Sequence, residues 1–217
     1  MCDEKTLKSW AEYLKDAPPM SRRRFGAMSA GVGLAAALPP VANAQAVTES
    51  NVEVTTPDGT ADCYFVHPSS GTHPGVIVWP DILGLRPAFQ GMGRRLAQSG
   101  YSVLVVNPFY RGARAPVVGE GASFADPAVR ETVFPLAQSL NAETHVTDAI
   151  AFVDFLDQQA AVDTSRGIGT TGYCMGGPMV MRTAAARADR VRAAGSFHGG
   201  GLATDQPNSP HLLIPQM

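Results

Sequence analysis

The sequence is short of net charge and of cysteine. Seventeen Lys and Arg against nineteen Asp and Glu leave a net charge of -2, so no basic surplus points to a nucleic acid partner. Three cysteines, Cys2, Cys63 and Cys174, lie far apart. Without close spacing they make neither a metal site nor a disulfide framework, and no cofactor is expected; an odd count suits a catalytic thiol. Internal repeats and low-complexity linkers are missing too, so the chain reads as one layered α/β domain. The apolar run from Gly26 to Leu38 is too short to span a bilayer with ease, and stable membrane insertion is not expected.

The first 46 residues stand apart. Ser21-Arg22-Arg23-Arg24-Phe25 precedes the uncharged run from Gly26 to Leu38, and Pro39-Pro40 and Ala42-Asn43-Ala44 follow. A positive n-region, a short apolar h-region and an Ala-x-Ala site make a secretory signal, and the paired arginines before Phe25 resemble the twin-arginine type. The expectation is a leader over 1–46, export by the twin-arginine machinery, and a periplasmic or secreted domain over 47–217. A basic amphipathic helix is the alternative; Gly26, Gly31 and Gly33 and the lack of a polar face weigh against it.

Alternation on both sides of Pro57-Asp58-Gly59, in Asn51–Thr55 and Ala61–Val66, predicts an antiparallel hairpin with Cys63 as a packing residue. Gly75–Trp79 and Tyr101–Val106 are continuous apolar runs, as expected of strands covered on both faces. Between them Phe89, Met92, Leu96 and Ala97 keep helical spacing from Pro87 to Ser99, with Gly100 as a stop. Strand, helix, strand in that order implies parallel pairing. Residues 107–140 hold no sustained period and read as a long irregular loop. Asn141 is a candidate N-cap for a helix through Val146, Ile150, Val153 and Leu156; a strand from Gly167, a helix over Pro178–Ala188 and a strand over Val191–Phe197 follow.

The most informative stretch is Gly172-Tyr173-Cys174-Met175-Gly176-Gly177, on the turn between that strand and that helix. It matches the nucleophile-elbow arrangement with cysteine in place of serine. Glycines two before and two after Cys174 are needed where a sharp turn brings backbone too close for a Cβ. The thiol faces unpaired N–H groups at a helix start and is placed to attack a carbonyl, with the Met175 N–H as half of an oxyanion hole. The bland alternative is a small buried hydrophobe in a tight loop. Ligands of open α/β sheets bind beyond the carboxyl ends of strands, and Asp81-Ile82, Tyr110-Arg111 and Cys174 all fall there. If the first of these loops passes beside the elbow, the Ile82 N–H completes the hole.

This pattern resembles the dienelactone hydrolase family of the α/β-hydrolase fold, from Val52 to the end. The resemblance rests on Gly172–Gly177, on Asp81-Ile82-Leu83-Gly84-Leu85 and on Asn107-Pro108-Phe109-Tyr110-Arg111. It implies a mostly parallel sheet with helices on both faces behind an N-terminal antiparallel hairpin. It also implies hydrolysis of a small ester or lactone through an acyl-enzyme on Cys174, with Ile82 and Met175 as oxyanion donors. Tyr110 and Arg111 would line the substrate site, Arg111 holding a substrate carboxylate; a solvated loop charge is the other reading of Arg111, and Arg114 competes for the clamp. The family commonly has glutamate in place of Asp81, as partner to the resting thiol. Asp81 is one methylene shorter, and a cap for the helix near Pro87 is the other reading. His198, at the carboxyl end of Val191–Phe197, could line the pocket and is expected to be a pocket or structural residue and not the base.

The last residues, His211–Met217, read as the approach to a further strand. In the resembled family the triad acid and histidine lie after the next two strands, so those strands and both residues are expected beyond residue 217, and this piece is expected to be inactive by itself. Two other classes stay open: a secreted non-catalytic small-molecule-binding protein on the same fold, and a nucleotide-binding domain using Gly172–Gly177 as a phosphate cradle. The spacing Gly-x-x-x-Gly-Gly is not Gly-x-Gly-x-x-Gly, which weighs against the last.

Overall fold

The computed structural model describes residues 41, 42 and 44–217. The arginines at 22–24 and the apolar run 26–38 lie outside the described residues. At Pro57-Asp58 the chain reverses between β1 (Val47–Thr56) and β2 (Gly59–Pro68), an antiparallel pair in which Thr56 faces Gly59. The Thr56 hydroxyl closes this turn, donating to the Gly59 carbonyl at 3.0 Å and accepting the Asp58 N–H at 3.1 Å.

Two continuous apolar runs form β3 (Gly75–Trp79) and β4 (Ser102–Val105), every residue of which is buried. They pair in parallel, joined by α1 (Pro87–Gln98), which starts on a proline and is followed by Gly100 at φ 98°. The hairpin joins this unit through an antiparallel β2–β4 contact, while β5 (Ile168–Tyr173) and β6 (Val191–Phe197) extend it in parallel. The six-stranded sheet runs β1-β2-β4-β3-β5-β6.

Alternate residues of the inner strands feed two separate cores, which is why both faces need helices. Val76, Val78, Val103 and Val105 pack with Phe89 and Ala97 of α1. Ile77, Trp79 and Leu104 point the other way, onto Phe152, Val153 and Leu156 of α3 (Ala142–Asp157) and Met179 and Val180 of α4 (Gly176–Ala186). Asn141 caps α3 as the sequence suggests, its side chain accepting from the Glu143 and Thr144 amides at 2.8 and 3.0 Å while Thr144 returns a bond to the Asn141 N–H.

Three expectations fail in detail. The segment 107–140 is not all loop: α2 (Pro127–Gln138) lies inside it, capped by Asp126, but buries only Val133 and contains Pro135, so its apolar period is weak. The inward face of α3 is only partly the one expected: Val153 and Leu156 are buried, but Ile150 is exposed, and His145, Asp148, Ala149 and Phe152 are buried as well. Pro210–Gln216 forms a 3-10 helix and not an extended approach, with prolines at its start and inside it. Among the described residues no helix is long and apolar enough to cross a membrane.

Candidate active site

Strand β5 ends on Tyr173, and Cys174 takes φ 53°, a left-handed backbone that a non-glycine residue adopts only at a cost of about 1–3 kcal/mol. Its N–H donates to the Phe197 carbonyl of β6 at 3.0 Å, and its carbonyl accepts the Gly177 N–H at 3.1 Å. Helix α4 begins two residues on. Among the described residues Cys174 makes no disulfide and is partly exposed, whereas Cys63 is buried and its thiol is pushed up to about 12 by that burial.

The glycines around it have no room for a methyl group. A Cβ on Gly172 would lie 2.5 Å from the Gly176 carbonyl oxygen. One on Gly176 would lie 2.6 Å from the Trp79 oxygen and 2.9 Å from the Pro80 oxygen. The second contact puts the carboxyl end of β3 directly against the elbow, the condition on which the Ile82 donor depends.

Beyond Pro80 the chain makes a tight turn in which the Gly84 N–H reaches the Asp81 carbonyl at 2.9 Å, with Gly84 at φ 74°. The Asp81 carboxylate accepts the Leu83 N–H at 2.9 Å and a two-pronged pair from Arg86, at 2.7 and 2.9 Å. Of the two sequence readings of Asp81, the cap for α1 fails. No hydrogen bond joins it to Cys174, and the residue capping α1 is Arg86, with no side-chain bond to the helix. The Arg86 guanidinium takes the carboxylate instead of the helix N-terminus, because a bidentate ion pair is a strong partner for a carboxylate. Neither the Ile82 nor the Met175 N–H is engaged by another group among the described residues.

A model of the dienelactone hydrolase family matches residues 61–217. The chain belongs to the dienelactone hydrolase family. It is 27% identical to a carboxymethylenebutenolidase of Rhodococcus opacus over 158 residues, covering 71% of this chain and 56% of that protein. It is 26% identical to a putative carboxymethylenebutenolidase of Methylorubrum extorquens over 202 residues, 88% of this chain and 66% of that one. The chain thus spans between about half and two thirds of the length of these curated relatives. Its fold superposes on a putative dienelactone hydrolase of Klebsiella pneumoniae with a TM-score of 0.61 at 20% identity, covering 76% of this chain and 65% of the other.

In this dienelactone hydrolase fold Arg111 is paired within its own chain. Its guanidinium donates to Asp148 at 2.7 and 2.9 Å and to Asp58 at 2.6 and 3.0 Å, so two carboxylates of its own chain already hold it. The Tyr110 hydroxyl is likewise shared between Asp148 at 2.8 Å and Thr56 at 2.7 Å. Together they tie the β1–β2 turn, the turn after β4 and α3. Sequence reasoning missed Asp148, although a carboxylate in phase with Phe152 on the inward face of a helix demands a cation. Arg114 pairs with Glu53 at 2.8 Å and borders a cleft of about 340 Å³ with Leu85, Arg86 and Gln90, alongside the Asp81–Gly84 turn. A larger groove of about 650 Å³ lies between β1 and α3, away from Cys174.

His198 is exposed, at φ 42°, one residue past the carbonyl that anchors Cys174. It makes no hydrogen bond among the described residues. His145 is buried between α3 and α4, its Nδ1 3.4 Å from Arg182 and its Nε2 without a partner among the described residues. Burial, reinforced by the Arg182 and Arg111 charges, drives its pKa down to about 3, so it stays neutral.

Proposed function

We propose that this protein hydrolyses a small ester or lactone with Cys174 as nucleophile. The observation that supports this is the contact between Gly176 and the Trp79–Pro80 backbone, two residues after Cys174 on one side and two before Ile82 on the other. The Ile82 and Met175 amides would then donate to one developing oxyanion. Sulfur attacks the carbonyl carbon, and the tetrahedral adduct collapses by expelling the alkoxide, which takes a proton. Water then releases the acid from the thioester and returns the thiol. A base is needed to accept the thiol proton; among the described residues no histidine is hydrogen-bonded to Cys174, and neutral, enclosed His145 is unsuited to the role.

The test is a burst experiment with p-nitrophenyl acetate. Nitrophenolate released in step with acetylation of the peptide containing Cys174 is the expected result, lost in Cys174→Ala. Turnover retained by the alanine variant would remove Cys174 from the reaction. We further propose export by the twin-arginine route, supported by Ser21–Phe25, the run Gly26–Leu38 and Ala42–Ala44. Replacing Arg23 and Arg24 by lysine should retain the protein in the cytoplasm; unchanged periplasmic recovery would refute it.

A further inference from the structure

The oxyanion reading requires the Ile82 N–H to hold its direction while charge develops, yet Ile82 sits on a short turn outside any helix or strand. What stiffens that turn is Arg86. Pro87 follows it and biases it toward extended backbone, and Arg86 has φ -154° and ψ 172°. From there its guanidinium folds back over the turn, reaching both Asp81 oxygens and also the Gly84 carbonyl at 3.2 Å. With the Leu83 N–H to Asp81 and the Gly84 N–H to Asp81, five hydrogen bonds close around Asp81–Gly84 and none of them uses the Ile82 N–H.

The same guanidinium also connects to the other half of the site. It lies 4.9 Å from the Phe89 ring centre, Phe89 lies 5.7 Å from Tyr173, and Tyr173 stacks on Phe197 at 5.0 Å and 11°. Tyr173 precedes Cys174, and Phe197 supplies the carbonyl that anchors its N–H. One side chain therefore braces the Ile82 turn and touches the ring ladder that flanks the elbow.

We propose that Arg86 is a positioning residue that holds the Ile82 and Met175 amides in register for the oxyanion, acting through Asp81, Gly84 and the Phe89–Tyr173 rings. This rests on the assignment of those amides as oxyanion donors. Asp81 serves as the anchor for Arg86 and not as a partner for sulfur, since its two oxygens already accept three N–H groups.

The test compares two reactions of the same sulfur in the full chain. Acylation by p-nitrophenyl acetate passes through an oxyanion, whereas alkylation by iodoacetamide displaces iodide at a saturated carbon and does not. Both are read by mass on the peptide containing Cys174. Arg86→Ala is expected to slow acylation by about 10- to 100-fold, the cost of displacing or losing one oxyanion donor, with alkylation unchanged. Arg86→Lys should recover part of the loss, because an ammonium reaches Asp81 but cannot fork to both oxygens and Gly84. Ile82→Pro, which deletes the donor itself, separates the two ideas. If Ile82→Pro acylates at the wild-type rate, the oxyanion assignment fails. If Ile82→Pro is slow while Arg86→Ala matches wild type, the assignment stands and the role given to Arg86 is overturned. Equal loss of acylation and alkylation in Arg86→Ala and Arg86→Lys would overturn it too, marking Arg86 as merely structural.

Discussion

Replacing Gly176 by alanine tests the mechanical link between the elbow and the end of β3. The new Cβ would start 2.6 Å from the Trp79 oxygen, 2.9 Å from the Pro80 oxygen and 2.9 Å from the Trp79 Cβ. Comfortable contact requires a separation larger by roughly 0.5–1 Å. Neither neighbour yields easily, because Trp79 is fully buried and paired to β5, and Gly176 begins α4. Overpacking of this kind costs about 1–3 kcal/mol of stability. The displacement also falls on the two groups that must meet one oxygen, and a 1 Å error there costs up to about 100-fold. Gly176→Ala should therefore lower the acylation rate of Cys174 by about tenfold or more while iodoacetamide still alkylates it at the native rate. Burst kinetics and urea unfolding give the two numbers. A variant that acylates like wild type would show that the loop after β3 does not set the geometry at the sulfur, and the reasoning from Gly176 would collapse.

Protonation of His145 gives a pH signature. Its ordinary pKa of 6.5 falls to about 3 in the native state, so between those values the unfolded chain binds more protons and stability drops as pH falls. From pH 7 to pH 5 this amounts to about 2 kcal/mol, and His145→Gln should remove that part of the slope in urea titrations; an unchanged slope would refute the assignment. Asp148→Ala leaves Arg111 with Asp58 alone and should cost about 3 kcal/mol by urea unfolding, a loss below about 1 kcal/mol being incompatible with a buried ion pair. Arg111→Lys should lower stability without changing the preference between carboxylate-bearing and neutral esters. A selective rise in KM for the charged esters would favour the substrate-clamp reading.

The elements readable from sequence were those whose signal is local. The runs Gly75–Trp79 and Ser102–Val105 had to be buried strands because neither has a polar side to show to water, and Asn141 is capped by its own next residues. The elbow was legible because Gly172 and Gly176 are sterically obligatory beside a cysteine at positive φ. What escaped depends on partners distant in the chain or on weak periods. Asp148 and Asp58 meet Arg111 from 37 and 53 residues away, so nothing in the order of residues ties them. Arg86 stood one residue before the predicted helix, and its partner Asp81 lies in the turn before it, so no helical or strand period marked it. In α2 the proline at 135 and the single buried Val133 hid a helix that the Asp126-Pro127 start announces in retrospect.

The bond from the Cys174 amide to Phe197 carries the ladder of β5 and β6 one rung past the end of β5. Cys174 is thus indexed like a tooth on a rack, its height set by strand register and not by the composition of nearby loops. Insertions, deletions or charge reversals around the cleft can alter what enters without disturbing where the reaction begins. A slip of β6 by a single residue, by contrast, would turn the anchoring carbonyl away. On the proposed mechanism, the loops around the cleft could vary while the sulfur keeps its address.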